Sequence, residues 1–267
     1  MLKDKGWLKP STTLLEPCVG NGALLKSISN PSTTYDIAPH YKGAIQQDYL
    51  LAPITKHQLV FTNPPFGRNS SLAVKFFNRA CLDSDRVAFI VPQSFRKTSI
   101  IDRLNEWFHP IFDADLPDQH FILPNGDKRL VKTCFQLWSR RHYKRNLFKS
   151  FVTPDLFFQK VKSPVDADFA LRTQGSSAGL VLKDLLNTDG STFSPGTTAY
   201  IKGDKSLFTQ HDWTTIASFT SAIPAIGLQD IRLGLLIGDE QRDVFLRGGA
   251  AQLLIKYNSY YEQTNSL

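Results

Sequence analysis

The sequence lacks any uninterrupted apolar run near the roughly 20 residues that a membrane-spanning helix needs, and its first ten residues lack the apolar stretch of a signal peptide. We therefore expect an intracellular protein, cytoplasmic or nuclear, with no membrane partner. Its three cysteines, Cys18, Cys81 and Cys134, are widely spaced, which argues against a disulfide framework and a zinc site. The histidines also lack the spacing of a ligand set, so we predict no metal.

Acidic residues are fewer than basic ones, with 24 Asp and Glu against 31 Lys and Arg, which gives a formal charge of +7. An excess of positive charge favours an anionic partner, because Lys and Arg release counterions when they contact phosphates. Basic residues gather at Arg140, Arg141, Lys144, Arg145 and Lys149. This stretch is as typical of a solvated linker as of a phosphate-contacting surface.

The 267 residues are enough for one domain of ordinary size and a smaller unit. Between residues 11 and 139, β-rich apolar runs alternate with helix-like stretches, which predicts an α/β fold with a mostly parallel sheet. The expected strands are TTLLEP, TTYDI, HQLVFTN, RVAFIVP and VKTCFQLWSR, and the expected helices are GALLKSIS, SLAVKFFNRACL and SIIDRLNEWF.

The pattern changes after the basic stretch. Strand-like DADFALRT and TAYIKG, with a possible helix at TTIASFTSA, predict a smaller α+β unit there. We place the domains at residues 1–144 and 145–267.

A glycine-rich turn follows the first predicted strand, in the segment LLEPCVGNGALL. The strand ends at Glu16 and Pro17, and the chain then passes through Gly20, Asn21 and Gly22 into a predicted helix. Nucleotide-like ligands bind at such turns, because glycine permits close approach and a helix start offers free N–H groups. The glycine spacing differs from the dinucleotide fingerprint, which disfavours hydride-transfer cofactors.

Two aspartates extend this nucleotide signal. Asp36 ends the second predicted strand about twenty residues after Glu16, the spacing at which an acid accepts hydrogen bonds from ribose hydroxyls. Asp48 lies where a third strand should end, in position to accept an adenine amino group.

The segment Asn63-Pro64-Pro65-Phe66 directly follows the apolar run QLVF. Neither proline can donate a backbone hydrogen bond, so we expect a stiff loop leaving the sheet at the carboxyl end of the strand. The Asn63 amide oxygen and the Pro64 carbonyl are expected to point outward as two acceptors for an exocyclic amine. Such acceptors stabilise positive charge on an attacking nitrogen, while Phe66 offers a face for stacking an extruded base.

Taken together, these motifs resemble the Rossmann-like amino methyltransferases of the N6-adenine type over residues 11 to 139. EPCVGNGAL resembles their cofactor loop, QDYL their contact with the cofactor adenine, and NPPF their catalytic tetrapeptide. The resemblance implies S-adenosyl-L-methionine as cofactor and a seven-stranded sheet ending in an antiparallel hairpin, formed by FDADLP and VKTCFQLWSR. The cofactor-binding residues implied by the motifs are Glu16, Pro17, Cys18, Gly20, Asn21, Gly22, Asp36, Ile37, Asp48, Tyr49 and Asn63, and the catalytic residues are Asn63, Pro64, Pro65 and Phe66.

The predicted activity is therefore methyl transfer to N6 of adenine in a nucleic acid, with DNA favoured over RNA because the C-terminal unit suits target recognition. The expected substrate-binding residues are Phe66, Arg68, Arg140, Arg141 and Arg172. Two alternatives remain open. One is methylation of a glutamine side chain in a protein, for which Tyr is more typical than Phe66, and the other is a catalytically silent nucleic-acid-binding relative.

Overall fold

This computed structural model describes residues 2–26, 28–117, 119–122, 128–150, 152–173, 180–206 and 228–263. The chain divides into two compact units. One comprises Met1–Phe95 with Arg103–Arg145, and the other comprises Arg96–Asp102 with Asn146–Leu267. The second unit thus includes a segment that the sequence pattern placed in the first domain.

The first unit is built on strands at every β-rich run that the sequence predicted. The strands of this unit are β1 (Leu14–Glu16), β2 (Ser32–Asp36), β3 (Ile45–Gln46), β4 (Leu59–Thr62), β5 (Arg86–Pro92), β6 (Phe108–Asp115), β7 (Gln119–Ile122), β8 (Lys128–Val131) and β9 (Thr133–Arg140). Strands β7 and β8 correspond to no predicted run. Seven of them form one sheet in the order β3-β2-β1-β4-β5-β9-β6, while β7 and β8 pair as a separate antiparallel hairpin.

Strands β1 to β5 pair in parallel, and β9 runs antiparallel to both β5 and β6. The prediction of a mostly parallel seven-stranded sheet ending in an antiparallel hairpin is confirmed. This is the Rossmann-like architecture that the family resemblance implies.

One long helix of the first unit, α1 (Ser71–Asp83), agrees with the prediction for SLAVKFFNRACL. Its apolar positions recur at helical spacing and bury one side of the helix, whereas Lys75 stays exposed. Phe77 is fully buried, and its ring contacts Phe89, Phe108 and Trp138 edge-on. This aromatic cluster joins α1 to strands β5, β6 and β9.

The α1 helix begins without a side-chain capping bond. Ser70 occupies the N-cap position but makes no capping hydrogen bond with its side chain. Its hydroxyl lies 3.2 Å from that of Ser94 instead.

Two other predicted helices are much shorter than expected. GALLKSIS forms only a 3-10 turn at Ala23–Leu25, and SIIDRLNEWF forms only α2 (Thr98–Ile101). In the second stretch α2 ends at Ile101, and farther along the side-chain oxygen of Asn105 accepts from the N–H of Trp107 at 3.0 Å. Such a local bond competes with helical hydrogen bonding and favours a turn.

The second unit contains a three-stranded antiparallel sheet and helices, which confirms the predicted α+β character. Its elements, besides α2, are β10 (Phe158–Val161), β11 (Phe169–Arg172), β12 (Thr198–Gly203), α3 (Leu228–Leu236) and α4 (Asp239–Gln263). The strand order is β10-β12-β11, and α4 is interrupted at Gly249, where φ is 69°. The helix expected at TTIASFTSA lies outside the described residues.

Buried polar contacts hold this unit together. Asp230 is 1% exposed and accepts from both the backbone N–H and the hydroxyl of Thr98, each at 2.8 Å. The guanidinium of Arg232 donates to the carbonyls of Leu156 and Phe158. None of the helices in the described part of the chain is both long and apolar enough to cross a bilayer.

We expect Phe77→Ala to lower the free energy of unfolding by about 3–5 kcal/mol, because it leaves a cavity within three aromatic contacts. Urea denaturation followed by circular dichroism measures this change. Leu82→Ala is the matched control, since Leu82 lies on the same helix but is 44% exposed. That variant should lose less than about 1 kcal/mol, and equal losses in both variants would contradict the assignment of Phe77 to the core.

Candidate active site

The predicted motifs meet at one edge of the seven-stranded sheet. β1 ends at Glu16, β2 at Asp36 and β4 at Thr62, immediately before Asn63. Since these strands are parallel, their carboxyl ends lie at the same edge, which is where open α/β sheets bind ligands. The glycine turn, the predicted ribose acid and the Asn-Pro-Pro-Phe segment are therefore neighbours.

Cys18 joins the glycine turn directly to the Asn-Pro-Pro-Phe segment. Its thiol donates to the carbonyl oxygen of Asn63 at 3.3 Å and lies 2.9 Å from the hydroxyl oxygen of Thr62. Thr62 in turn donates to Oε1 of Glu16 at 2.5 Å, and the backbone N–H of Cys18 reaches the same oxygen at 3.3 Å. These bonds connect the ends of β1 and β4.

Glu16 is a buried acid at the centre of this junction, with 1% of its surface exposed. Burial raises the pKa of its carboxyl group to about 8, because a charged carboxylate loses solvation inside the protein. The nearby Asp36 raises this pKa further, whereas the bonds from Thr62 and Cys18 lower it. Within the described residues, Oε2 of Glu16 has no hydrogen-bond partner.

The glycine turn has the backbone conformation that glycine favours. Gly20 and Gly22 have φ angles of 52° and 78°, both in the left-handed region. The N–H of Gly20 donates to Oδ2 of Asp36 at 2.8 Å, and Oδ1 of Asp36 accepts from the N–H of Ala38 at 2.9 Å. Asp36 therefore holds the glycine turn in place through its bond to the N–H of Gly20. Each of its oxygens keeps a further acceptor site for a ligand hydroxyl.

The other predicted cofactor contacts differ in how accessible they are. Pro17 is buried, whereas Asn21 is exposed and its side-chain oxygen accepts from the N–H of Ala23. Ile37 is 71% exposed directly after β2. Asp48 is also exposed, and its Oδ1 accepts from the N–H of Leu50 at 2.9 Å.

The side chain of Tyr49, a predicted cofactor-binding residue, lies in the core. Tyr49 is 2% exposed, and its hydroxyl donates to Oδ2 of the buried Asp83 at 2.6 Å. The guanidinium of Arg79 lies over its ring, 4.8 Å from the centroid. The aromatic residue after an exposed Asp thus packs into the core, because it supplies the partner of a buried acid.

The Asn-Pro-Pro-Phe segment is partly accessible. Pro64 is buried and Pro65 is exposed, while Asn63 and Phe66 are half-buried. The amide oxygen of Asn63, expected to point outward, is covered and has no hydrogen-bond partner among the described residues. A buried acceptor without a partner costs free energy that a ligand donor can recover.

The backbone after Phe66 turns sharply into α1. Gly67, Asn69 and Ser70 have φ angles of 68°, 50° and 57°. The carbonyl oxygen of Phe66 accepts from the N–H groups of Leu72 and Ala73 at 3.2 and 3.3 Å. Left-handed conformations at non-glycine residues are unfavourable and concentrate at functional loops. Arg68 is exposed within this turn.

Arg140 and Arg141, predicted to bind substrate, lie away from the edge that carries Asn63, and a substrate contact by them stays a prediction. β9 runs antiparallel to β5, so its last residues pair with the amino end of β5, roughly 20 Å of strand away from the carboxyl edge. Arg140 forms an ion pair with Asp85 at 2.9 Å, and the N–H of Arg141 donates to the carbonyl of Trp107 at 2.8 Å. Strand direction therefore separates these cations from Asn63.

The rest of the basic stretch is mixed, since Lys144 pairs with Glu106 at 2.5 Å whereas Lys149 is exposed. Arg145 is 4% exposed and donates to the carbonyl of Leu104 at 2.7 Å, so this residue belongs to neither a solvated linker nor an exposed phosphate-binding surface.

Arg172 lies in the second unit, where it donates to the hydroxyl of Thr198 and its guanidinium lies 5.9 Å from the ring centroid of Phe193. A substrate contact by Arg172 stays a prediction.

Two further polar residues at the same edge were missed by the sequence reasoning. Gln93 follows β5, is 4% exposed, and donates from its amide to Oδ1 of Asp115 at 3.0 Å. Thr133 begins β9 opposite Pro92 and is fully buried. The Gln93 Oε1 and Thr133 Oγ1 atoms lack partners among the described residues. Gln93 reaches this edge because β5 runs parallel to β4, whereas Thr133 reaches it through the antiparallel pairing of β9 with β5.

Comparison with known proteins gives matches among solved structures only. No family model and no curated protein matches the sequence. A candidate RNA methyltransferase from Pyrococcus horikoshii is 15% identical over 52% of this chain and 79% of its own, with a TM-score of 0.41.

Two other similar structures are larger or more distant. The M protein of the type I restriction enzyme EcoKI is 18% identical over 49% of this chain and 40% of its own, with a TM-score of 0.38. The 23S rRNA methyltransferase ErmE is 15% identical over 57% and 71%, with a TM-score of 0.36. Similarity at this level assigns no activity to the chain.

The raised pKa of Glu16 predicts a pH-dependent stability. The folded chain keeps the proton up to about pH 8, whereas the unfolded chain releases it near the ordinary value of 4.5. Stability from this group is therefore fully present below pH 4.5 and is lost as the pH rises to about 8, by at most about 1.4 kcal/mol per pH unit.

Urea denaturation at several pH values measures this slope, and Glu16→Gln should reduce it by about one proton because glutamine keeps the shape without titrating. Asp166→Asn is the control, since it removes an exposed carboxyl group. If Glu16→Gln showed the same slope as the unmodified chain, Glu16 would not hold a proton in the folded state.

Proposed function

We propose that this chain is an S-adenosylmethionine-dependent methyltransferase that acts on the N6 amino group of adenine in a nucleic acid, with DNA preferred to RNA. The observation that carries the proposal is the contact between Cys18 and Asn63. It joins a glycine turn suited to a nucleotide and a proline-braced loop suited to an amine at one edge of the sheet.

The residues at the glycine turn fit the cofactor. Apart from its chain neighbours, none of the described residues has an atom within 4 Å of the position that a side chain on Gly20 would take, so a ligand can approach the backbone there. Asp36 has acceptor capacity for ribose hydroxyls, and Ile37 offers an exposed apolar surface for the adenine ring. When bound, the cofactor supplies a methyl group on a positively charged sulfonium centre.

Glu16 complements that positive charge. Its Oε2 atom has no partner within the described residues, and its pKa of about 8 leaves it protonated at neutral pH in the free chain. A nearby cation favours the charged carboxylate and so lowers this pKa. Glu16 therefore releases its proton when a cationic ligand binds, and the resulting carboxylate orients that ligand.

Asn63 and Pro64 hold the amine that is methylated. The lone pair of an exocyclic amine is delocalised into the ring, so the nitrogen must become more tetrahedral before it attacks. The Asn63 amide oxygen and the Pro64 carbonyl accept its two hydrogens, which stabilises the positive charge that develops on nitrogen. The Asn63 oxygen is covered in the free chain, so this role requires the loop to open for the amine, and the lack of a competing donor among the described residues supports it.

Phe66 and the charge of the chain support a nucleic-acid substrate. Phe66 is half-buried beside Asn63, which leaves part of its ring available for stacking on an extruded base. Arg68 is exposed two residues later, and the net charge is +7. Phosphate contacts by Arg68 and by Arg172 of the second unit complete the proposal, and residues 145–267 are proposed to recognise the target.

The test is to incubate the purified chain with methyl-labelled cofactor and a panel of DNA, RNA and protein, and then to identify the modified group by mass spectrometry. N6-methyladenine in DNA is the expected product. If N6-methyladenine formed in RNA alone, the preference for DNA would be reversed. Methylglutamine as the product would make protein the substrate. If no labelled product formed, the proposed activity would be refuted.

Asn63→Ala should lower kcat at least about 100-fold, because one fixed acceptor for the developing charge is lost. Its affinity for the cofactor, measured by calorimetry, should change by less than about tenfold. Gln58→Ala is the matched control, since Gln58 is an exposed amide beside the opposite end of the same strand. A fully active Asn63→Ala enzyme would remove Asn63 from the catalytic site.

Asp36→Ala should mainly weaken cofactor binding, by about tenfold or more, since it removes a ribose acceptor and the anchor of the Gly20 N–H. Calorimetry with S-adenosylhomocysteine measures the change. Asp36→Asn retains one oxygen acceptor and should bind with intermediate affinity. Unchanged affinity in both variants would exclude Asp36 from the site.

A further inference from the structure

The loop between β2 and β3 is fastened to the glycine turn. Oδ2 of Asp36 accepts from the N–H of Gly20 at 2.8 Å, and the N–H of His40 donates to the carbonyl of Gly20 at 3.2 Å. A third contact involves Tyr41, whose ring lies against Gly22. The loop and the turn therefore form one preorganised unit.

The contact at Gly22 explains why this position needs glycine. A Cβ atom placed on Gly22 would overlap Cδ2 and Cε2 of Tyr41. The φ angle of 78° adds a second penalty for any other residue. The space that a side chain would occupy at Gly22 is thus filled by an aromatic ring, whereas the corresponding space at Gly20 is open.

Tyr41 keeps part of its ring accessible while it packs on the turn. It is 38% exposed, and Ile37 on the same loop is 71% exposed. Single exposed apolar residues are common on protein surfaces. Here, however, both residues belong to the one loop that is bonded to the glycine turn.

We propose that Tyr41 is a binding residue that forms an aromatic wall of the cofactor site and contacts the adenosine part of S-adenosylmethionine. This inference rests on the proposed function and adds a residue that no sequence motif marks. An aromatic ring suits this position, because stacking on a nucleobase tolerates small changes in placement and needs no hydrogen bond. The anchors at Asp36 and His40 hold the loop in place before the ligand arrives, which reduces the entropy lost on binding.

The test is calorimetric titration with S-adenosylhomocysteine. Tyr41→Ala should raise the Kd about tenfold or more, by analogy with the loss of a base-stacking aromatic residue. Tyr41→Phe should stay within about twofold of the unmodified chain, because ring carbons make the contact with Gly22. Tyr143→Ala is the matched control, since Tyr143 is a half-buried tyrosine that follows β9 at the opposite edge of the sheet.

A second measurement tests the packing itself. Gly22→Ala should lower the melting temperature and weaken binding, since the new methyl group overlaps the Tyr41 ring. Adding Tyr41→Ala should recover part of the melting temperature but not the affinity. If the double variant were no more stable than Gly22→Ala alone, the ring would not occupy that space and the inference would fail.

The outcomes separate the two proposals. If the unmodified chain does not bind S-adenosylhomocysteine, the proposed function fails, and the role of Tyr41 fails with it. If the unmodified chain binds but Tyr41→Ala binds equally well, only the aromatic wall is overturned. If circular dichroism shows that Tyr41→Ala is unstable, Tyr41→Leu takes its place, since leucine keeps an apolar side chain on Gly22 but lacks the aromatic ring and should show the same loss of affinity.

Discussion

The site depends on one hydrogen-bonded junction between the ends of β1 and β4. Glu16, Cys18, Thr62 and the carbonyl of Asn63 are linked in a chain that contains a 2.5 Å bond between Thr62 and Glu16. Because the bond between Thr62 and Glu16 is buried, it acts in surroundings of low polarity, where a lost partner is costly. A shift of either strand end would therefore disturb both the glycine turn and the Asn-Pro-Pro-Phe loop.

Several buried polar atoms at this edge have no partner in the described part of the chain. They belong to Glu16, Asn63, Gln93 and Thr133, at the ends or starts of adjacent strands. Native proteins satisfy most buried polar groups, so a concentration of exceptions indicates a functional region. The same sheet edge also presents the turn around Gly67, Asn69 and Ser70, where the backbone adopts unfavourable conformations.

The distribution of charge follows from the direction of a single strand. Because β9 runs against its neighbours, it carries Arg140 to the edge opposite the junction, where the residue pairs with Asp85. A basic net charge therefore does not show that basic side chains line the site. Arg68 is exposed and lies five positions after Asn63 in the chain, and Arg172 belongs to the second unit.

Local sequence determined the strands, the α1 helix, the glycine turn and the order of the motifs, because these depend on residue spacing and backbone preference over a few neighbouring positions. Only the tertiary structure decided where side chains go. It placed Tyr49 against Asp83 in the core, covered the oxygen of Asn63, and brought Gln93 and Thr133 to the site edge. It also set Tyr41 on Gly22. These outcomes depend on pairing between residues far apart in the chain. The sequence does not predict them, because neither the direction of a strand nor the burial of a partner leaves a periodic signal.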